Sequence, residues 1–234
     1  MTTQTDTFAK DPAAVLSSGT DRLKAFSDGV FAIAITLLIL EVKVPHLAEP
    51  TSGAELLHQI GNLWPRLLSY LISFVMLGIY WVGHRSLFEA ILHRCDRPLL
   101  WLNNFFLLGV TFLPFPAAIL GEYNANAMAL TIYGVNLSVI SLFLFLMLAY
   151  AGRHPHLLGS HVTPALLSAG RIIILTPFVF YTLAALAAFV EPKLSLAIFM
   201  TLPLLYVSPG TQEAVVRWRS RVLAEQVSAA DRAI

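Results

Sequence analysis

Asp28 is the residue with the most chemistry in the least polar surroundings. It opens the run 29–40, twelve residues without a formal charge. A carboxylate inside a membrane-spanning segment is costly unless it meets a partner or water. Two readings follow: an interfacial carboxylate that merely caps or hydrogen-bonds at a helix end, or the centre of a buried polar network. Donors for such a network occur elsewhere in the chain. In Tyr80-Trp81-Val82-Gly83-His84-Arg85, Trp81 and His84 lie three apart and share a helix face. An indole N–H and an imidazole N–H both suit a carboxylate. Trp101 and Asn103 add polar groups on a further segment, ahead of Leu113-Pro114-Phe115-Pro116, where the prolines must kink or break a helix. Singly, each is an interfacial aromatic or a packing polar residue. Together they describe one network on three segments.

The remaining reactive residue types point nowhere in particular. His154, His156 and His161 cluster beside Pro155 and Gly159, with no carboxylate or cysteine neighbour, and read as solvated loop histidines rather than a metal site. Cys95 is the single cysteine, so an internal disulfide is excluded. No phosphate-binding loop, serine-centred elbow or HExxH string occurs, and the glycosylation string at Asn136 lies in mid-span. Catalysis is not expected, and neither is a metal or an organic cofactor.

The elements that position these groups follow from composition. The 234 residues are 57% hydrophobic and only 12% charged, about half the usual charged share, and the mean hydropathy is +0.71. So few charges cannot solvate a soluble domain of this size, and so much apolar material excludes a disordered chain. The net charge of +1 gives no field to recruit nucleic acid, and no soluble protein partner is expected. The fold class is an all-α membrane protein. Charge-free stretches at 67–84, 98–121, 123–152, 172–190 and 194–212 approach or exceed the length a helix needs to cross a bilayer. The run 29–40 is too short alone, but 25–44 reaches span length with Asp28 near one end and Glu41 and Lys43 near the other. That makes six transmembrane helices. Lys and Arg on alternate sides then divide twelve to three, which accounts for all fifteen basic residues and places both termini in the cytoplasm. Residues 1–20 read as a polar cytoplasmic tail, 21–210 as the six-helix domain and 211–234 as an amphipathic cytoplasmic segment. The stretch 53–64 reads as a short interfacial helix. The chain contains no evident internal duplication.

On the first helix, Gly29, Ile33, Thr36, Leu37, Leu40 and Val44 form one stripe, apolar apart from a single hydroxyl. Such a stripe usually faces lipid or a packed helix. It is also what lines a pore whose Ile and Leu rings close by dewetting. Ser27 and Asp28 point away from it.

The spacing Arg22, then Phe26-Ser27-Asp28, then Thr36 resembles the signature of the transmembrane protein 175 family. Trp81 with His84, and Trp101-x-Asn103 followed by Pro114-Phe115, are similar to further family features. The resemblance implies a potassium-permeable channel without the Thr-Val-Gly-Tyr-Gly filter, whose prokaryotic members hold one six-span unit and assemble as homotetramers. It implies that the first helix of each subunit lines the pore. Ile33 then falls at the hydrophobic constriction, Thr36 at a threonine layer linked to selectivity, and Leu37 and Leu40 at further apolar layers. Arg22, Phe26, Ser27 and Asp28 fall on the motif that braces this helix, with Trp81, His84 and Asn103 behind it. The implied setting is the plasma membrane of a prokaryote, and the implied permeant species is the potassium ion. A proton leak or a secondary transporter using Asp28 and His84 is the alternative, although a transporter would be expected to show internal repeats.

Overall fold

The computed structural model describes residues 12–46 and 52–207, with side chains from Thr20 onward except at Leu202, Leu205 and Val207, and every regular element among them is helical. They are α1 (Pro12–Leu37), α2 (Gly53–Asn62), α3 (Trp64–Ala90), α4 (Arg97–Phe112), α5 (Pro114–Glu122), α6 (Ala127–Arg153), α7 (Pro164–Ala187) and α8 (Pro192–Val207). One 3-10 turn, Leu38–Glu41, extends α1, and another, Pro155–Leu157, follows α6. α1 begins at Pro12, inside the stretch expected to be a tail. The segment expected at 211–234 lies outside the described residues.

Helix starts are set by short polar side chains that satisfy the otherwise orphaned first-turn amides. Asp96 accepts from Leu99 N at 3.0 Å, Asn126 from Met128 N at 2.8 Å, and Thr163 from Leu166 N at 3.3 Å. Pro98 and Pro164 fall in the first turn, where their missing N–H costs nothing. Five stretches are long and apolar enough to cross a membrane: Thr20–Glu41, Trp64–Ala90, Arg97–Glu122, Ala127–Arg153 and Pro164–Ala187. The third of these is α4 and α5 together, interrupted at Leu113 because Pro114 and Pro116 cannot donate to the helix ladder. The expected sixth span is represented by α8, whose 16 described residues extend about 24 Å, short of the hydrocarbon thickness. The rest of the expected 194–212 stretch lies outside the described residues. The short helix expected at 53–64 is α2, started by Ser52 accepting from Glu55 N.

α6 is the centre of the bundle, packed along α7 and α4 and touching α5 and α8. Small residues let the backbones close up, as they must where no hydrophobic effect pulls helices together. Every described glycine has an ordinary negative φ, so what they contribute is space. A methyl group at Gly134 of α6 would stand 2.8 Å from Ala185 Cβ of α7 and 2.9 Å from Phe199 Cζ of α8. One at Gly109 of α4 would stand 2.8 Å from Ile140 Cγ1. Two buried hydroxyls tie neighbouring helices through main-chain carbonyls: Tyr80 donates to Leu137 O at 2.8 Å, and Ser69 to Ala117 O at 2.6 Å.

The end of the bundle rich in arginine is sewn together through main-chain groups. Leu92 and Leu158 pair as a one-residue antiparallel bridge. His93 N donates to Leu157 O at 2.8 Å and Gly159 N to Ile91 O at 3.1 Å. Asp96 spans the two halves, capping α4 with one oxygen and accepting from Tyr150 Oη at 2.7 Å with the other. The Cys95 thiol beside it is pushed up to about 11 by burial and by that carboxylate, so little thiolate exists near neutral pH. The histidines expected in a loop do lie there. The His154 ring lies tilted against Tyr150, 4.1 Å between centroids, and His161 Nε2 sits 2.9 Å from Ala90 O. Among the described residues no three potential ligands converge as a metal site would need. At the opposite end Arg66 of α3 pairs with Glu122 of α5.

Replacing Gly134 by Val puts three heavy atoms into a contact with no room for one, and the expected cost is about 1–3 kcal/mol. A lowered melting temperature of the detergent-solubilised protein is the expected reading. A variant that melts with the wild type would show that the α6–α7–α8 contact is looser than described.

Candidate functional site

α1 has two unlike faces. Steps of four, three and four from Ser27 give Phe31, Ala34 and Leu38, all at most 1% exposed against α3 and α4. The opposite face carries the stripe expected from the sequence. Ile33 is 60% exposed, Leu37 41% and Leu40 68%, with Gly29 and Thr36 exposed between them. Nothing else in the described chain covers this stripe. The Thr36 hydroxyl donates to Ile33 O at 2.9 Å, leaving its oxygen lone pairs outward.

Behind the helix lies a chain of side-chain hydrogen bonds. Asn103 Nδ2 of α4 donates to Ser27 Oγ at 3.2 Å, and Asn103 Oδ1 lies 2.7 Å from His84 Nε2 of α3. With its amide nitrogen committed to Ser27, Asn103 offers its oxygen as acceptor, so His84 Nε2 carries the proton. All three residues are buried. Three rings enclose the imidazole: it stacks on Phe106 at 5.2 Å and 11°, and approaches Phe88 at 4.7 Å and Phe31 at 6.0 Å, while Phe31 also meets Phe106 at 5.8 Å. A second link runs closer to the surface. Trp81 Nε1 donates to Asp28 Oδ1 at 2.8 Å, and the Arg85 guanidinium sits 5.7 Å above the Trp81 ring.

The expected single network is therefore two separate ties. Trp81 serves Asp28 as expected, whereas His84 turns away from the carboxylate to Asn103. The cause is depth: the imidazole needs a partner inside the aromatic pocket, and Asp28 is exposed at its edge. Arg22 and Phe26 are exposed and join neither tie, with no hydrogen bond or ion pair among the described residues. Trp101 lies on the outer face of α4, 63% exposed and beside Phe105. Sequence reasoning missed Phe31 and Phe106. Their signal was available, since Phe31 follows Ser27 by four and Phe106 follows Asn103 by three, on the faces already assigned to the interior.

Changing Asn103 to Leu leaves Ser27 Oγ and His84 Nε2 buried without partners, at about 1–3 kcal/mol for each stranded group. Trp81→Phe strands only an exposed carboxylate and should cost less. Thermal melts of the two variants in one detergent check the order, and equal losses would mean that the buried tie is not the stronger.

Comparison with known proteins bears directly on this pairing of a fastened back and an open front. The family described as "Endosomal/lysosomal potassium channel TMEM175" matches residues 22–114, the segment that holds both ties and the whole stripe. A protein named a potassium channel in Streptomyces collinus is 38% identical over 189 residues, 79% of this chain and 90% of its own length. The crystal structure titled a lysosomal potassium-selective channel TMEM175 homolog from Chamaesiphon minutus superposes with a TM-score of 0.71 at 31% identity, covering 81% of this chain and 96% of that one. A longer zebrafish relative, named an endosomal/lysosomal proton channel, is 28% identical over 141 residues, 60% of this chain and 26% of its own. The chain belongs to the TMEM175 family.

Proposed function

We propose that this protein conducts potassium ions passively across a prokaryotic plasma membrane, through an axial pore lined by α1 from each of four identical subunits. The observation that carries the reading is the exposed stripe of Ile33, Thr36, Leu37 and Leu40 on a helix whose other face is fastened to α3 and α4. A stripe that its own chain leaves open must face either lipid or other copies. One lining helix per subunit cannot enclose an axis, so several copies are needed, and cyclic symmetry is the usual solution. In this arrangement the chain crosses the membrane six times, with α8 continued beyond Val207 as the sixth span and both termini in the cytoplasm.

The apolar rings set the barrier. An ion passing Ile33 must shed water and receives nothing from a ring of methyl groups in return, so a narrow ring is closed even where it is wider than the bare ion. Thr36 lies almost one turn further along the same stripe. Because its hydroxyl proton is spent on Ile33 O, a ring of four would present oxygen lone pairs to a partly dehydrated cation. Potassium holds its water less tightly than sodium, which favours it wherever dehydration is only partly repaid. Opening requires α1 to turn or tilt. The Asn103–Ser27 and Trp81–Asp28 bonds resist that motion near the cytoplasmic end and leave the rest of the helix freer. A proton path using Asp28 and His84 has less support, since the imidazole is enclosed by phenylalanines and bonded to Asn103 rather than to the carboxylate.

The deciding measurement is the reversal potential of purified protein in a planar bilayer with potassium on one side and sodium on the other. A shift toward the potassium equilibrium potential supports the reading. Currents that follow a proton gradient and ignore potassium would replace it with the proton path. Ile33→Asn gives a dehydrating ion a partner at the constriction, and basal conductance should rise severalfold. Thr36→Val keeps the volume and removes the oxygen, so the reversal potential should move toward zero with conductance retained. Currents unchanged in both variants would take the stripe out of the pore.

A further inference from the structure

Arg171 has no role in the channel reading and an unusual position. It is the eighth residue of α7, about 10 Å along the helix from its start, inside a stretch apolar enough to span the membrane. Its side chain is exposed, flanked by Ile172, 68% exposed, and Ile173. Among the described residues no carboxylate pairs with it and it makes no hydrogen bond. The guanidinium lies against the last turn of α6, where a methyl group added at Gly152 would stand 2.8 Å from Nη2. The missing side chain at Gly152 thus makes the seat in which the guanidinium rests. Arg153, exposed, follows at the end of α6. Ser168, one turn nearer the helix start and exposed, lies on the same side of α7 as Arg171. On the other side of Arg171, toward mid-membrane, Leu175 and Val179 continue its face and are exposed.

We infer that Arg171 is the anchor of a binding site for the phosphate of an anionic phospholipid, seated between the end of α6 and the start of α7. A guanidinium without a partner in this setting is costly until an anion reaches its fork of N–H donors. At headgroup depth the membrane itself supplies such an anion, and paired phosphate oxygens match the fork. The order along α7 suits an amphiphile: hydroxyl and cation toward the surface, then an apolar track for an acyl chain. A soluble phosphate would use the guanidinium and leave that track bare. The site depends on α7 lying in the membrane and is independent of which ion the protein conducts.

The test uses the full-length protein in a neutral detergent, with native mass spectrometry and thermal melting read in parallel. Phosphatidylglycerol should bind the wild type and raise its melting temperature, phosphatidylcholine should do so weakly, and inorganic phosphate should not. Arg171→Gln should weaken phosphatidylglycerol binding about tenfold, and Arg171→Lys should fall between. Should Arg171→Gln fail to fold, Leu175→Glu supplies the guanidinium with a carboxylate four residues away and must abolish the lipid effect. Equal phosphatidylglycerol binding by wild type and variant would overturn the site. Equal protection by inorganic phosphate would assign it to a soluble anion, and loss of oligomer in Arg171→Gln without any lipid effect would assign it to another copy's carboxylate. Potassium flux in vesicles of neutral lipid is read separately, so failure of the channel reading and failure of the lipid site are distinguishable.

Discussion

In hydrocarbon a polar side chain without a partner is costly, and the orientation of α1 follows from how its polar residues escape that cost. Ser27 is buried and bonded to Asn103, which is bonded to His84 in turn. If α1 turned by a third of a revolution, Ser27 would leave Asn103 and both would be stranded. The Trp81–Asp28 bond resists the same turn from the edge. Apolar packing alone would fix the helix less well, because in a membrane Ile33 gains little by moving from lipid to protein. The phenylalanines around His84 keep water from substituting for the asparagine. Polar pairing therefore sets the angle of the helix, and the angle decides which side chains face outward.

The rest of the bundle gives that pairing a rigid frame. α3 and α4 carry the two partners, and α4 is held to α6 by close approach at Gly109 and by Asn136 donating to Gly109 O at 3.0 Å. The interruption at Leu113 lets the first part of that span follow α1 while the second follows α3. At the arginine-rich end the main-chain bridge between the loops at Leu92 and Leu158 fixes α3 and α4 against α6 and α7.

Much of this was legible in the sequence, for identifiable reasons. Span positions follow from gaps between charges, since few charges can be carried into hydrocarbon. The two faces of α1 follow from helical periodicity, and the break at Pro114 from the chemistry of proline. Which donor meets which acceptor was not legible. Trp81 and His84 share a helix face and are three residues apart, so periodicity treats them alike; only the pocket made by Phe31, Phe88 and Phe106 separates their partners. The start of α1 was misjudged because the stretch from Pro12 is polar enough to resemble a tail, although nothing in it after the proline forbids a helix. The seat of Arg171 on Gly152 depends on two helices meeting at one height, which no local pattern encodes.

The open stripe on α1 also separates two kinds of inheritance. Ile33, Thr36, Leu37 and Leu40 project away from their own subunit, whereas Ser27, Phe31, Ala34 and Leu38 pack into it. Selection on folding of the single subunit therefore bears on one set and leaves the other largely unconstrained. If the outward set lines the pore as proposed, it can be varied for a different permeant ion without first repairing the inward one. Residues interleaved along one helix thus answer to different demands, and a library randomised only at the outward four should keep a backbone that still folds, whatever it does to conductance in the proposed pore.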